Sequence, residues 1–209
     1  MTTITWIGLG HMGNPMSANL ARAGYDVRGH DVSAEAMAAA RDRGVQTFDT
    51  LEEALRGAEV VFTMLPKGEH ARAVYLGDSG VIALAPKDAL LIDSSTIDVE
   101  TAEELHRAAE DAGFRFVDAP VSGGISGAAA ATLTFMVGGK PDVVEQARTF
   151  IEPMARKIVA TGHAGTGQAA KIVNNMLLGV TMAGTCEDRK SGSAGMPRPI
   201  QESRMPSSA

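Results

Sequence analysis

One cysteine, Cys186, stands in 209 residues. It closes no disulfide within the chain and supplies no metal-site spacing, so a disulfide scaffold and a cysteine-based metal centre are excluded and no metal is expected. Aromatic residues make up only 4% of the chain, which leaves the core to Ala, Val, Ile, Leu and Met. No apolar run reaches the length of a bilayer span. The N-terminus also lacks the basic, apolar and small-residue succession of a secretion signal. Runs of Lys and Arg are missing, and the formal net charge is -6. A chain without a basic face has little to offer a phosphate backbone, which argues against a nucleic-acid partner. The expectation is a soluble cytoplasmic protein with no membrane partner.

What is present is a regular alternation. Short apolar, β-branched runs occur at 3–8, 25–30, 59–64, 89–93, 115–119, 132–137 and 157–160. Helical spacing appears at 14–23, from Ser33 to about 42, at 97–112 and at 142–154. Strands that alternate with helices imply βαβ units and a mostly parallel sheet covered on both faces. The fold class read here is therefore α/β, Rossmann-type and doubly wound. Residues 168–184 read as one long helix rich in Met, Leu and Val, and 188–209 as a polar segment without periodicity, expected to be disordered. The domain reading is 1–163, then an interdomain helix at 164–187, then the tail.

The first strand runs into Gly8-Leu9-Gly10-His11-Met12-Gly13, a G-x-G-x-x-G loop that opens a helix. Gly8 permits the tight turn, Gly10 lets the backbone approach a pyrophosphate, and Gly13 lets helix and strand pack closely. N–H groups at the helix start, with the helix dipole, favour negative charge there. The second strand ends at Asp31, near the roughly 20-residue spacing expected of the acid that binds the ribose hydroxyls. A carboxylate there repels a 2′-phosphate, so the pattern favours NAD over NADP. Arg28 and His30 stand nearby with charge that a phosphate could use. Residues 8–13 as a whole form the candidate cofactor segment, and His11 takes a variable position with no chemistry of its own.

Four ordered stretches carry a resemblance: GLGHMGNPMSANL (8–20), DAPVSGG (118–124), TLTFMVGG (132–139) and GTGQAAKIVNN (165–175). Together they resemble the β-hydroxyacid dehydrogenase family, and MLPKGEHARAVYLGDSGVI (64–82) leans toward its bacterial 3-hydroxyisobutyrate dehydrogenase branch. The resemblance implies NAD-dependent oxidation of a small β-hydroxy acid to its semialdehyde, in a bacterial cytoplasm. It makes Lys171 the general acid/base. Ser122, Gly123 and Gly124 would bind the substrate carboxylate, Asn175 would orient substrate or lysine, and Leu65, Pro66 and Thr96 would line the nicotinamide. Each has a plainer reading beside it. A lone lysine on a helix is usually a solvated charge, although Lys171 sits among Ala169, Ala170, Ile172 and Val173. Ser-Gly-Gly also makes ordinary turns, Pro66 ends a strand, Thr96 fits an N-cap for a helix at Ile97, and Asn175 fits a helix contact. A reductase for tartronate semialdehyde, or a non-catalytic NAD-binding fragment, are the alternatives.

The chain departs from the family after Glu187, where the family continues into a further all-helical domain that closes the cleft and carries the homo-oligomer interface. The abrupt loss of periodicity suggests a frameshift or early stop, with impaired turnover and an exposed apolar helix face. Resequencing the locus tests this: an intact frame as read here overturns it.

Overall fold

The structure is a computed structural model that describes residues 1–190, with side chains to residue 187. The first compact unit is Met1–Ile172, and a second begins at Val173. The first unit holds β1 (Thr3–Ile7), α1 (Gly13–Arg22), β2 (Asp26–His30), α2 (Ala34–Arg41), β3 (Gln46–Thr47), α3 (Leu51–Leu55), β4 (Val60–Thr63), α4 (Gly68–Leu76), α5 (Val81–Leu84) and β5 (Leu90–Asp93). It continues with α6 (Val99–Asp111), β6 (Arg115–Asp118), β7 (Val121–Ser122), α7 (Gly124–Ala129), β8 (Leu133–Gly138), α8 (Pro141–Ile151), β9 (Ala155–Gly162) and the start of α9 (Thr166–Lys190).

The strands form one sheet in the order β3-β2-β1-β4-β5-β6-β8-β7, with β9 paired to β8. Strands β1 to β6 are parallel throughout, while β8 runs antiparallel to β6 and β7 and parallel to β9. The chain winds outward from β1 to β3, then returns and winds the other way through β4, β5 and β6. This order puts the topological switch between β1 and β4, and a ligand crevice forms outside the carboxyl ends of strands at such a point. The doubly wound, mostly parallel sheet read from the sequence is the one found.

Alternate residues of each strand serve opposite faces. Val60, Phe62, Leu90, Ile92 and Val117 join one buried cluster with Met16 and Leu20 of α1. Val61, Leu91 and Phe116 join the other with Tyr75 of α4 and Leu105 of α6. Strands buried on both faces read as continuous apolar runs for this reason. The core is largely aliphatic, as the composition implies, but the scarce aromatics are concentrated in it. Trp6, Phe62, Tyr75, Phe114, Phe116 and Phe135 are all buried, because large rings yield the most apolar area per residue.

Helices α2, α3 and α6 start at side-chain caps. Ser33 Oγ accepts from Ala36 N at 3.2 Å, as its place in the sequence implies. The N-cap of α6 is Asp98, whose Oδ1 accepts from Thr101 N at 2.8 Å. This corrects the capping role for Thr96: a carboxylate two residues later takes the cap, and the helix begins at Val99. Helices α3, α5 and α7 and the two-residue strands β3 and β7 are too short to leave a usable period in the sequence.

The start of α9 has a longer-range cause. Asp118, the last residue of β6, is fully buried. Its Oδ1 accepts from Gly165 N at 3.0 Å and from His106 Nε2 at 2.8 Å. Its Oδ2 accepts from Gln168 N at 3.0 Å. A carboxylate distant in sequence thus caps the helix N-terminus. Gly167 allows the approach, since a Cβ there would stand 2.5 Å from Met136 O and 2.6 Å from Asp118 Oδ2.

In the second unit the helix continues to Lys190. Val173, Met176, Leu177, Leu178, Val180 and Met182 are each more than half exposed there, and Cys186 is exposed. Of the segment expected to be disordered, 188–209, residues 188–190 are instead the end of α9, and the remainder lies outside the described residues. Among the described residues no helix is long and apolar enough to cross a membrane.

Replacing Asp118 by Ala strands three buried donors. The expected loss is about 3–5 kcal/mol of unfolding free energy, read from urea denaturation, with a smaller loss for Asp118→Asn.

Candidate functional site

The glycine loop is compressed from three sides. Gly8 has φ +92°, and a Cβ on it would lie 2.3 Å from Met64 O. A Cβ on Gly13 would lie 1.9 Å from Gly8 O and 2.8 Å from Trp6 Nε1. Gly10 is different, because a Cβ there meets nothing within 4 Å and would project into open space that a ligand can use. Trp6 supports the turn from below: Nε1 donates to Gly8 O at 2.9 Å, and the ring stacks on Phe62 at 4.9 Å. Asp31 secures the outer side. Its Oδ2 accepts from Leu9 N at 2.6 Å and its Oδ1 from Ser33 N at 2.8 Å.

These residues border a cleft of about 950 Å³, near the top of the roughly 300–1,000 Å³ range of small-molecule sites. Gly8, Leu9, Gly10, His11, Asp31, Leu65 and Pro66 all line it, so the sequence assignment for these seven positions falls on one surface. Met12 and Gly13 stand behind it, Met12 against the core and Gly13 buried. Asn14, His70 and Ile125 are further lining residues that the glycine pattern does not reveal. The cleft lies at the switch between β1 and β4, and it presents a glycine turn at one position and an anchored carboxylate at another. Those features fit a dinucleotide: open backbone for the pyrophosphate, an acceptor for ribose hydroxyls.

The loop after β4 lines the cleft with Leu65 and Pro66, while Thr96, in the loop after β5, is not among its lining residues. Ser95 Oγ accepts from Leu65 N at 2.9 Å, which ties the Leu65-Pro66 loop to the loop bearing Thr96. Thr96 is exposed. Beneath it, Asp93 is fully buried and its Oδ1 accepts from Thr63 Oγ1 at 2.6 Å, Ser95 Oγ at 2.5 Å and Ser95 N at 3.1 Å. Burial pushes the Asp93 carboxyl above its usual range, against the lowering pull of the Ser95 and Thr63 hydrogen bonds. Asp93 and Ser95 were not singled out by the sequence reading. A carboxylate that ends a buried apolar strand is the available signal, because burial makes it costly without hydrogen-bond partners; here Oδ1 has three and Oδ2 none among the described residues.

The remaining assigned residues sit at the β7–α7 turn and on α9. Gly123 (φ +139°) and Gly124 (φ +65°) turn consecutive N–H groups in conformations that glycine adopts freely. Ser122 ends β7 just before them. Asn19 of α1 donates from Nδ2 to Ala128 O at 2.7 Å, and so ties α7 to the helix that follows the glycine loop. Lys171 is 9% exposed, and among the described residues no carboxylate pairs with it. Burial without a counter-charge lowers its pKa from the usual lysine value. The solvated-charge reading of this lysine is therefore set aside. Gln168, also missed by the sequence reading, is fully buried. It donates from Nε2 to Ser95 O at 2.7 Å and accepts at Oε1 from Ile97 N at 3.2 Å. Asn175 belongs to the second unit, where it is exposed and accepts from Asn174 Nδ2 at 3.4 Å.

Strand order, glycine loop and anchored acid define a dinucleotide-binding domain. The chain belongs to the family of the NAD-binding domain of 6-phosphogluconate dehydrogenase, whose model matches residues 3–162, and NAD is the cofactor of that domain. It is 48% identical over 187 residues to 3-hydroxyisobutyrate dehydrogenase of Pseudomonas aeruginosa, covering 90% of this chain and 63% of that protein. It is 44% identical over 194 residues to the NAD-dependent L-serine dehydrogenase of the same organism, covering 93% and 65%. The solved structure of Mycobacterium tuberculosis 3-hydroxyisobutyrate dehydrogenase with L-serine matches with a TM-score of 0.85 at 51% identity, covering 90% of this chain and 64% of that one. The chain thus spans just under two thirds of the length of these relatives.

Two substitutions probe the site. Asp31→Ala frees the loop at Leu9 N and removes the ribose acceptor. NAD affinity is expected to fall by about tenfold or more, read by quenching of the single tryptophan, Trp6. Asp93→Asn keeps an acceptor for the Thr63 and Ser95 donors and removes the buried charge. A carboxyl raised in the folded state holds its proton more tightly there, so the wild type loses stability as pH rises through the raised pKa. The Asn variant is expected to lack that decline in thermal unfolding between acid and neutral pH.

Proposed function

We propose that this protein oxidises 3-hydroxyisobutyrate, or a similarly small β-hydroxy acid, to its semialdehyde with NAD. Bound NAD supplies the hydride acceptor for the terminal alcohol carbon. Lys171, in its neutral form, takes the hydroxyl proton onto Nζ and returns it in the reductive direction. The observation that carries the reading is a buried lysine with no carboxylate paired to it among the described residues, on a helix whose first turn is hydrogen-bonded to the loop that bears Thr96. A base works best with a pKa near the working pH, and burial moves lysine in that direction.

Gly8 to Gly13 and Asp31 hold the adenosine and pyrophosphate side in this reading, and Leu65, Pro66 and Thr96 the nicotinamide. Ser122 with the Gly123 and Gly124 N–H groups grips the substrate carboxylate, and Asn175 orients the substrate or Lys171. The relatives named above act on substrates of one shape: L-serine and 3-hydroxyisobutyrate both carry a hydroxymethyl group beside the carbon that bears the carboxylate. That shared shape supports the substrate class. The bacterial cytoplasm is the setting this implies. The apolar side chains exposed along the second unit would be covered in a homo-oligomer, the state the family resemblance implies.

The full chain is mixed with NAD and 3-hydroxyisobutyrate, with L-serine in parallel, while NADH absorbance and NAD-induced thermal stabilisation are followed together. NADH formation with stabilisation is expected, and stabilisation without turnover rejects the enzyme reading. Lys171→Arg is expected to lower the oxidation rate by about 10²–10⁴-fold with the stabilisation intact. Since only the neutral amine accepts a proton, the wild-type oxidation rate rises with pH to a plateau reached below the usual lysine range. The Arg variant lacks that limb.

A further inference from the structure

We propose that Gln168 is a positioning residue that clamps the Thr96 loop from both sides and so shapes the nicotinamide end of the cleft. This rests on the reading of Thr96 and Lys171 above. A buried carboxamide costs free energy unless its donors and acceptor are met. Here Nε2 donates to Ser95 O at 2.7 Å and Oε1 accepts from Ile97 N at 3.2 Å. The two bonds fall on the residues immediately before and after Thr96, whose own side chain is left exposed.

Gln168 is itself held at its backbone, where N donates to Asp118 Oδ2 at 3.0 Å. Ser95 passes the constraint on, because its Oγ accepts from Leu65 N at 2.9 Å. One side chain in the first turn of α9 therefore fixes both loops after β4 and β5. Lys171 lies three residues along, on the neighbouring part of the same helical face, so the loop and the amine share one reference point. Helix α6 does not need this clamp for its own start, since Asp98 already caps it. A residue serving only to fill the core would need neither hydrogen bond, and methionine of similar length would replace it.

The test compares NAD with ADP-ribose, which lacks the nicotinamide, binding to the full 209-residue chain by calorimetry. For Gln168→Met, the dissociation constant for NAD is expected to rise about tenfold, the effect of two lost neutral hydrogen bonds, while that for ADP-ribose stays unchanged. Equal losses for both ligands, or no loss for either, overturn the proposal and leave the cofactor reading standing. Failure of the wild type to bind NAD overturns both. Gln168→Glu keeps the acceptor for Ile97 N and loses the donor to Ser95 O, and is expected to weaken NAD alone. Should neither variant fold, hydrogen exchange of the Ile97 amide in the wild type decides. Slow exchange sustains the clamp, and exchange at the rate of an open loop amide overturns it.

Discussion

Much of this structure depends on one buried carboxylate. Asp118 ends β6 with both oxygens inside the protein, and they are met by two backbone N–H groups at the start of α9 and by the His106 ring of α6. An ion so placed is tolerable only when its lone pairs are filled with good geometry. That requirement fixes where the helix begins and how closely it approaches the sheet. Glycine at 167 and at 138 follows from it, since a Cβ at either position would collide with the carboxylate. The placement of Gln168 and Lys171 follows in turn, because both sit within the first two turns of the helix so anchored.

A second buried carboxylate, Asp93, does similar work one strand away. It is the register partner of Asp118 across β5 and β6, and through Ser95 it joins the loops that follow β4 and β5. The carboxyl ends of three neighbouring strands are thus linked by hydrogen bonds rather than by apolar packing. The network is satisfied at Asp93 Oδ1, which accepts three hydrogen bonds, while the buried Asp93 Oδ2 has no partner among the described residues. Through Leu65 N this network reaches the Leu65-Pro66 wall of the cleft at the β1–β4 switch. Along the other wall the cleft has the compressed glycine turn, with Trp6 below and Asp31 beside it.

The cofactor side was legible in the sequence to a large degree. The glycine spacing, the following helix and Asp31 each have a local physical reason, and Leu9, Gly10, His11, Leu65 and Pro66 proved to share one cleft with them. The proposed reaction side was legible only through resemblance. The local sign for Lys171 was its apolar neighbours, two of which, Ile172 and Val173, are themselves exposed, and nothing local joins Gln168 to Ser95 or Asp118 to Gly165, since these pairs lie far apart in the chain. Thr96 shows the limit of local reasoning: a threonine before a helix invites an N-cap assignment, yet Asp98 holds the cap and Thr96 is left exposed.

By itself the sequence determined the class of fold and the place of the dinucleotide loop. Both depend on periodicity and on glycine, whose effects act within a few residues. Tertiary structure alone decided the environment of the candidate acid/base. The pKa of a lysine depends on what excludes water from it and on which charges stand near. That environment forms only in the folded unit, where Asp118 of β6 fixes the start of the helix that carries Lys171.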